Sequence, residues 1–419
     1  MIVIYSATLY LSPTTNYTLD PEVGDAIRFN TSTGLFTGME WFPDCRDGGL
    51  DRYFFEMVAA FAAMEMKGTV LVSAAERFSS LNGFRVLGMA PAGASTWRRW
   101  SGARKAAIEA FRSGVDFVNA HFALYAFPWL DQLPPHVPLI VNFQGPWSEE
   151  MRVEARTLKK RLAAKAAYWI ERRVYRRADR CITLSAAFRD LLHQRYGVPL
   201  ERIRVVPGAS DLTPYLQAPD RNAARMQLDW PQDRPILLSV RRLARRMGLD
   251  LLIEAMAEVR KEFPEVLLLI GGKGPEAENL KAEIGKRKLE KNVRLLGFIP
   301  EADLPAAYAA ADFSVVPTVA LEGFGLITVE SLASGTPVLG TKVGATPEIL
   351  EPICPELLFA EATAAAMAKK IKAVLRGSVP VPSREACRAY SERYGWPNVM
   401  PQLLAVFEEA IAEKKQVRR

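Results

Sequence analysis

The chain is poor in the residues that most often hold metals or carry acid–base chemistry. It has three histidines, His121, His136 and His193, and no two stand four residues apart. Its four cysteines, Cys45, Cys181, Cys354 and Cys387, are widely separated, with no CxxC pair. That distribution argues against a disulfide framework and against structural zinc. No Asp-x-Asp occurs, so a divalent metal held by protein carboxylates is not expected. No apolar run reaches the ~18 residues that a membrane-spanning helix needs. The longest candidates, such as VLLLI at 266–270, are strand-sized. The opening MIVIYSATLYL has no basic leader region and reads as the first strand of a mature cytosolic chain.

What remains is an ordinary globular composition, 49% hydrophobic and 24% charged. A length of 419 residues points to two or three domains rather than one core. The net charge of +7 is concentrated in one place. Residues 151–180 hold eleven Lys/Arg against three Asp/Glu, an excess of +8, and the rest of the chain is −1. The charge excess thus raises the question of partners for that segment, not of a globally basic protein.

Short strand-like runs alternate with amphipathic helices throughout. VDFVNAHF (115–122), PLIVNFQG (138–145), DRCITLS (179–185) and IRVVPG (203–208) read as buried strands in the first half. PILLSV (235–240), EVLLLIGG (265–272), NVRLLGF (292–298), FSVVPT (313–318) and TPVLGT (336–341) do so in the second. Helical patterns lie between them, and such alternation implies α/β architecture with parallel sheets covered on both faces. The polar, proline-punctuated stretch between Asp211 and Pro235 reads as a linker between two Rossmann-like, doubly wound domains. The expected division is 1–215, 216–395 and a C-terminal helix, 396–419, that packs back across the domains. STGLFTGMEWFPDCRDGG, before Leu50, reads as a loop-rich insertion.

One stretch carries two carboxylates in a notable setting. In LEGFGLITVE (321–330), Glu322 and Glu330 flank a Gly-Phe-Gly turn with seven residues between them. The turn joins a strand to a helix, at the strand end where open α/β sheets bind ligands and helix N-termini favour anions. Glycine lets the backbone of Gly323, Phe324 and Gly325 approach such a ligand closely. Two readings are open. The pair can grip vicinal hydroxyls, one on a sugar and one on a ribose; or Glu330 is a solvated helix residue and Glu322 an N-terminal carboxylate. A second cluster, SVRRLARRMG (239–248), sets Arg241, Arg242, Arg245 and Arg246 directly after a buried strand. Guanidinium forks suit phosphate oxygens, although a charge run is also a common solvated face.

With these motifs in order, the chain resembles the retaining glycosyltransferases of family 4, which have the GT-B fold. Their GG loop, HG-type turn, G-R-L…K-G loop, G-x-GP turn, F-(I/V)-P turn and E-x7-E block read here as GGLDR (48–52), FQGPW (143–147), RRLARRMG (241–248), GGKGP (271–275), FIP (298–300) and EGFGLITVE (322–330). The resemblance covers the chain from about Gly48 onward. It implies that Glu330 holds the nucleotide ribose, and that Glu322 with Gly323, Phe324, Gly325 and Leu326 grips the donor sugar. Arg242 would neutralise the donor diphosphate, with Arg241 and Arg246 beside it. Gly48 and Gly49 would approach that diphosphate and the acceptor. Gln144 and Gly272 belong to donor-binding turns, and Phe298 and Ile299 would hold the base. His121 matches a strand-end histidine on the acceptor side; a buried core histidine is the other reading. Three positions depart from the pattern: Met247 replaces a lysine, Gln144 a histidine, and Ala209 a glycine.

The expected activity is therefore metal-independent transfer of a hexose-type sugar from a nucleoside-diphosphate sugar to a glycan, lipid-linked or small-molecule acceptor. No cofactor, metal or nucleic acid is expected. Two alternatives stay open: a nucleotide-sugar epimerase on the same fold, and a non-catalytic nucleotide-sugar binding protein. A cytoplasmic location is expected. The segment 151–180 is read either as a domain helix with a solvated face or as a peripheral anchor on anionic lipid. Its apolar stripe is taken to be Leu158, Leu162, Ala166, Trp169, Ile170 and Val174.

Overall fold

The computed structural model describes residues 32–45, 48–74, 80–155 and 157–417. The strand expected in MIVIYSATLYL lies outside these residues. Two sheets organise the chain. The first has the order β3-β4-β2-β1-β5-β6-β7-β8, formed by β1 (Thr33–Thr37), β2 (Lys67–Val72), β3 (Ser80–Leu81), β4 (Phe84–Gly88), β5 (Phe117–Ala120), β6 (Leu139–Phe143), β7 (Arg180–Thr183) and β8 (Ile203–Val205). All its pairings are parallel except β3 with β4. The second has the order β11-β10-β9-β12-β13, formed by β9 (Ile236–Val240), β10 (Leu267–Gly271), β11 (Val293–Gly297), β12 (Phe313–Val316) and β13 (Val338–Gly340), all parallel. The architecture is α/β with helices flanking both sheets.

The stretch read as a loop-rich insertion contains the central strand of the first sheet. TGLFT (33–37) has little β-branched character, but β2 and β5 pair on either side of it. Leu35 and Phe36 consequently point to opposite faces and are both fully buried. A Cβ on Gly34 would lie 2.6 Å from the rings of Phe117 and Phe36. Tertiary pairing, rather than local propensity, makes this strand.

The polar stretch 211–235 is also more structured than a linker. It forms the helices Thr213–Leu216 and Arg221–Gln227, the latter capped by Asp220, whose carboxylate accepts from the backbone N–H of Asn222 and Ala223. Ala224 packs into a small-residue cluster with Ala306, Ala309 and Ala310 of the helix Leu304–Ala310. Buried Arg225 ties the segment down through the Ala310 carbonyl and Asp312.

The terminal helix, Trp396–Val417, returns to the first sheet. Phe407 lies 5.3 Å from Phe61 and 5.1 Å from Phe117, centroid to centroid. Burying a phenylalanine of this kind contributes about 1.5–3 kcal/mol. Glu409 adds ion pairs with Arg180 and Arg204.

The basic segment divides into the helices Trp147–Glu154 and Leu158–Arg177. The buried face of the longer one is Ala164, Ala167, Glu171, Val174 and Tyr175, so the apolar stripe expected from sequence is rotated away from the core. Only Val174 of that stripe is buried; Leu158 is 74% exposed, Leu162 58% and Trp169 57%. Glu171 takes the inward position because Ser148, Tyr175 and Tyr196 donate hydrogen bonds to its carboxylate. Among the described residues no helix is long and apolar enough to cross a membrane.

Candidate functional site

The C-terminal ends of the two sheets meet. The helix Gly49–Ala63 follows β1, Gln144 and Glu150 follow β6, and both face the loops after β9, β11 and β12. The contacts are close. A Cβ on Gly323 would lie 2.9 Å from the Phe188 ring and 3.2 Å from the Gln144 carbonyl, so only glycine lets these two loops touch.

Glu322 and Glu330 lie on this cleft, and both are buried. The reading of Glu330 as a solvated helix residue is thereby overturned: it faces inward from the helix Leu326–Ala333, whose N-cap Gly325 is left-handed at φ 85°. Leu321, just before Glu322, also has a left-handed φ of 59°, held by the hydrogen bond its carbonyl accepts from Arg246 at 2.9 Å. Glu322 accepts from Thr318 Oγ1 at 2.6 Å and pairs with Arg241 Nη2 at 2.5 Å. Burial pushes its carboxyl up, but the Arg241 charge and the hydrogen bonds from Thr318 and Arg241 outweigh that. The net effect holds it below the usual glutamate value.

Glu330 is claimed by a residue that the sequence reading passed over. Arg52, in the GGLDR stretch, pairs with Glu330 from the other side of the cleft. The same guanidinium reaches Tyr215 at 3.2 Å and Glu301 at 3.0 Å. Tyr308 adds a hydrogen bond to Glu330 at 3.3 Å. The available signal was RYFFEMVAAF, where Arg52 and Glu56 stand four apart in a largely apolar helix and a charge is buried only with partners. A second cross-cleft pair joins Arg246 to Glu150 at 2.9 Å. Burial raises the Glu150 carboxyl while Arg246 and Arg242 oppose the shift.

Arg242 is exposed, near enough to Glu150 to act on it electrostatically. Gly48 and Gly49 are exposed, with no atom of the described residues within 4 Å of an added Cβ. At Gly272 a Cβ would fall 1.8 Å from the Arg241 carbonyl, which locks the two loops together. Phe298 is 43% exposed beneath Lys273 Nζ at 4.6 Å, and Ile299 covers Gly271. Leu326 is half-buried at the helix start. Phe324 turns away from the cleft and packs edge-on against Tyr394 at 5.4 Å, so only its backbone belongs to the site. Met247 likewise joins the core, beside Leu243 and Leu249.

His121 is buried between polar partners and aromatic rings. Its Nε2 lies 2.9 Å from Asn119 Oδ1, and its Nδ1 lies 3.3 Å from the Gln144 side-chain amide. Asn142 Nδ2 also lies 3.0 Å from Nε2, so three side-chain amides surround the imidazole. The Phe54 ring stands edge-on at 4.7 Å. Burial pushes the imidazole down to about 3, so it stays neutral at physiological pH. His121 therefore sits as a buried core histidine in contact with the Gln144 side chain.

A family model described as Glycosyltransferase Family 4 matches residues 47–213, and one described as Glycosyl transferases group 1 matches residues 220–394. A D-inositol 3-phosphate glycosyltransferase of Segniliparus rotundus is 30% identical over 248 residues, 56% of this chain and 53% of that protein. The alpha-D-kanosaminyltransferase of Streptomyces kanamyceticus is 28% identical over 226 residues, 54% of this chain and 58% of that protein. The chain spans about half the length of the curated relatives it matches. Among solved structures, a sucrose-phosphate synthase from Thermosynechococcus elongatus superposes with a TM-score of 0.74 at 20% identity, covering 91% of this chain and all 100% of that one. Anabaena HepE in complex with UDP and glucose gives 0.70 at 20% identity, covering 90% and 100%. At such identities the structural likeness shows the fold alone.

Proposed function

The chain belongs to the family 4 glycosyltransferases of the GT-B fold, and we propose that it works as one, moving a hexose-type sugar from a nucleoside-diphosphate donor to a hydroxyl acceptor with retention. The observation that carries this is the burial of Glu322 and Glu330 on one cleft, each held by an arginine. Two fixed carboxylates of this kind accept hydrogen bonds from the hydroxyls at the two ends of one donor. A structural neighbour, Anabaena HepE, forms a complex with UDP, which supports a nucleotide donor.

In the proposed reaction the acceptor oxygen bonds to the anomeric carbon on the face that the diphosphate leaves. The bond from that carbon to the phosphate oxygen breaks, and the departing phosphate takes the acceptor's proton. Negative charge grows on the phosphate, where the exposed Arg242 and backbone N–H groups stabilise it without a metal or cofactor. The acceptor enters from the Gly48–Gly49 side, near Gln144. Closure of the two halves supplies proximity and excludes water. No protein nucleophile is needed, and Glu322 positions the sugar.

A thermal-shift series with UDP, GDP, ADP and TDP, on the native chain and on Glu330→Ala, tests the reading. One nucleotide should stabilise the native chain and lose its effect in the variant. Stabilisation by none of the four would withdraw the enzymatic claim. A non-catalytic nucleotide-sugar binder is favoured by one feature, the core position of Met247, which removes a phosphate contact. Binding without any turnover of the selected donor would support it.

We also propose that the exposed side of the helix Leu158–Arg177 docks on anionic lipid at the inner face of the membrane. Leu158, Leu162 and Trp169 are exposed among lysines and arginines. The rings Trp97, Trp100, Phe127 and Trp169 follow one another at 6.3, 5.5 and 5.8 Å. Beside them a cavity of about 750 Å³ is lined by Arg173 and Arg177. Aromatic edges with flanking cations suit a lipid headgroup region.

A further inference from the structure

Arg241 stands at the first position of RRLARRMG, where the motif it resembles has glycine. A side chain there needs room, and this one is given a buried seat. Its backbone N–H donates to the Gly271 carbonyl at 2.8 Å, which extends the β9–β10 pairing by one residue and fixes Arg241 at the strand end. The side chain is 5% exposed. One nitrogen, Nη2, is committed to Glu322 at 2.5 Å. The other, Nη1, is buried and finds no acceptor among the described residues.

Two neighbouring arginines are already held by partners of their own. Arg246 is held by Glu150 and the Leu321 carbonyl, and Arg52 by Glu330 and Glu301. Glu322 has its own second donor in Thr318. A buried guanidinium donor without an acceptor is costly, and an oxygen anion is its best partner. Met247 faces the core and cannot supply a cation here.

We propose that Arg241 Nη1 receives an oxyanion of the donor, so that one guanidinium bridges Glu322 and the bound substrate. Two groups offer that chemistry: the terminal phosphate of the nucleoside diphosphate, and a carboxylate on the transferred sugar. Either assigns Arg241 a substrate contact and couples the charge it binds to the position of Glu322. The inference rests on the donor-site reading above.

The test measures binding by calorimetry on the full chain, native and as Arg241→Gly, Arg241→Lys and Arg241→Gly/Glu322→Gln. The ligands are the nucleoside diphosphate selected above, its monophosphate, and its glucose and glucuronate esters. If the phosphate is the partner, Arg241→Gly weakens the diphosphate tenfold or more and leaves the monophosphate within twofold. Arg241→Lys should then recover part of the loss. If the sugar carboxylate is the partner, the diphosphate-to-monophosphate ratio stays and any preference for the glucuronate ester over the glucose ester is lost. The double variant removes both charges of the buried pair, so the diphosphate-to-monophosphate ratio, which involves no sugar, is read from it should Arg241→Gly alone fail to fold; Arg241→Lys then reads the glucuronate preference. Unchanged ratios in every foldable variant overturn the proposal while leaving the donor site intact. No binding by the native chain overturns the donor-site reading, and this inference with it.

Discussion

Replacing Arg52 by methionine should cost far more than a surface arginine would. The side chain is 9% exposed and Glu330 2%, so Arg52→Met leaves a carboxylate buried without its counter-charge. Breaking a buried pair from one side typically costs about 3–5 kcal/mol. The other partners add little: Glu301 is 40% exposed, where an ion pair contributes about 0–1 kcal/mol. Glu56 keeps hydrogen bonds from Trp396 Nε1 and the Asp211 N–H, both at 2.9 Å. Glu330→Gln is milder, about 1–3 kcal/mol, because Arg52 still has Glu301 and Glu56. With both changed, the carboxylate at position 330 that Arg52 had neutralised is gone. The double variant should then be more stable than Arg52→Met alone and fall short of the summed single losses by about 1–3 kcal/mol.

Urea and thermal unfolding followed by tryptophan fluorescence read this directly. At roughly 2–4 °C per kcal/mol for units of this size, Arg52→Met should melt roughly 6–20 °C below the native chain. Nucleotide should narrow that gap, since ribose hydroxyls can donate to the carboxylate that Arg52 has released. Single losses that add within about 0.5 kcal/mol would show that the two residues are not coupled. A melting point unmoved by Arg52→Met would refute the argument that Glu330 depends on it.

Two further outcomes are expected. His121 is pushed down to about 3 from an ordinary 6.5, so above pH 6.5 its neutral form costs nothing, and below it the unfolded chain binds the extra proton. Stability should fall as pH drops from 6.5 toward 3, by up to about 5 kcal/mol, and His121→Asn should flatten that slope in pH-dependent urea unfolding; an equal slope in the variant assigns it elsewhere. On the exposed face of the basic helix, Leu158→Ser/Leu162→Ser/Trp169→Ser should lower sedimentation with phosphatidylglycerol vesicles at least tenfold and leave the melting point unmoved, whereas native binding equal to that on phosphatidylcholine vesicles would exclude the surface.

The motifs after strand ends were legible because turn-forming glycines separate a buried apolar run from a helical pattern. FSVVPT followed by EGFGLITVE gives a buried strand, a turn and a helix, and β12 and the helix Leu326–Ala333 occupy those places. What could not be read was which side of a helix faces inward. On Leu158–Arg177 the alanines and a hydrogen-bonded glutamate turn to the core, and the larger apolar residues stay outside. An apolar stripe predicts burial only when nothing with stronger packing or hydrogen-bonding demands competes for the same space. The central strand Thr33–Thr37 was missed for a related reason, since five residues carry too little local signal and its partners come from residues 67–72 and 117–120.

The sequence by itself determined the α/β class, the order of the motifs and the family, because periodicity and turn chemistry are local properties of the chain. The tertiary structure decided which charges meet. Arg52 and Glu330 are 278 residues apart, and Arg241 and Glu322 are 81 apart. No local pattern pairs them; the meeting of the two sheets at their C-terminal ends brings Arg52 to Glu330, and the pairing of β9 with β12 brings Arg241 to Glu322. In a buried cleft those pairings fix the ionisation of the site, since a charge removed from water persists only where an opposite charge or hydrogen-bond donors replace the lost solvent.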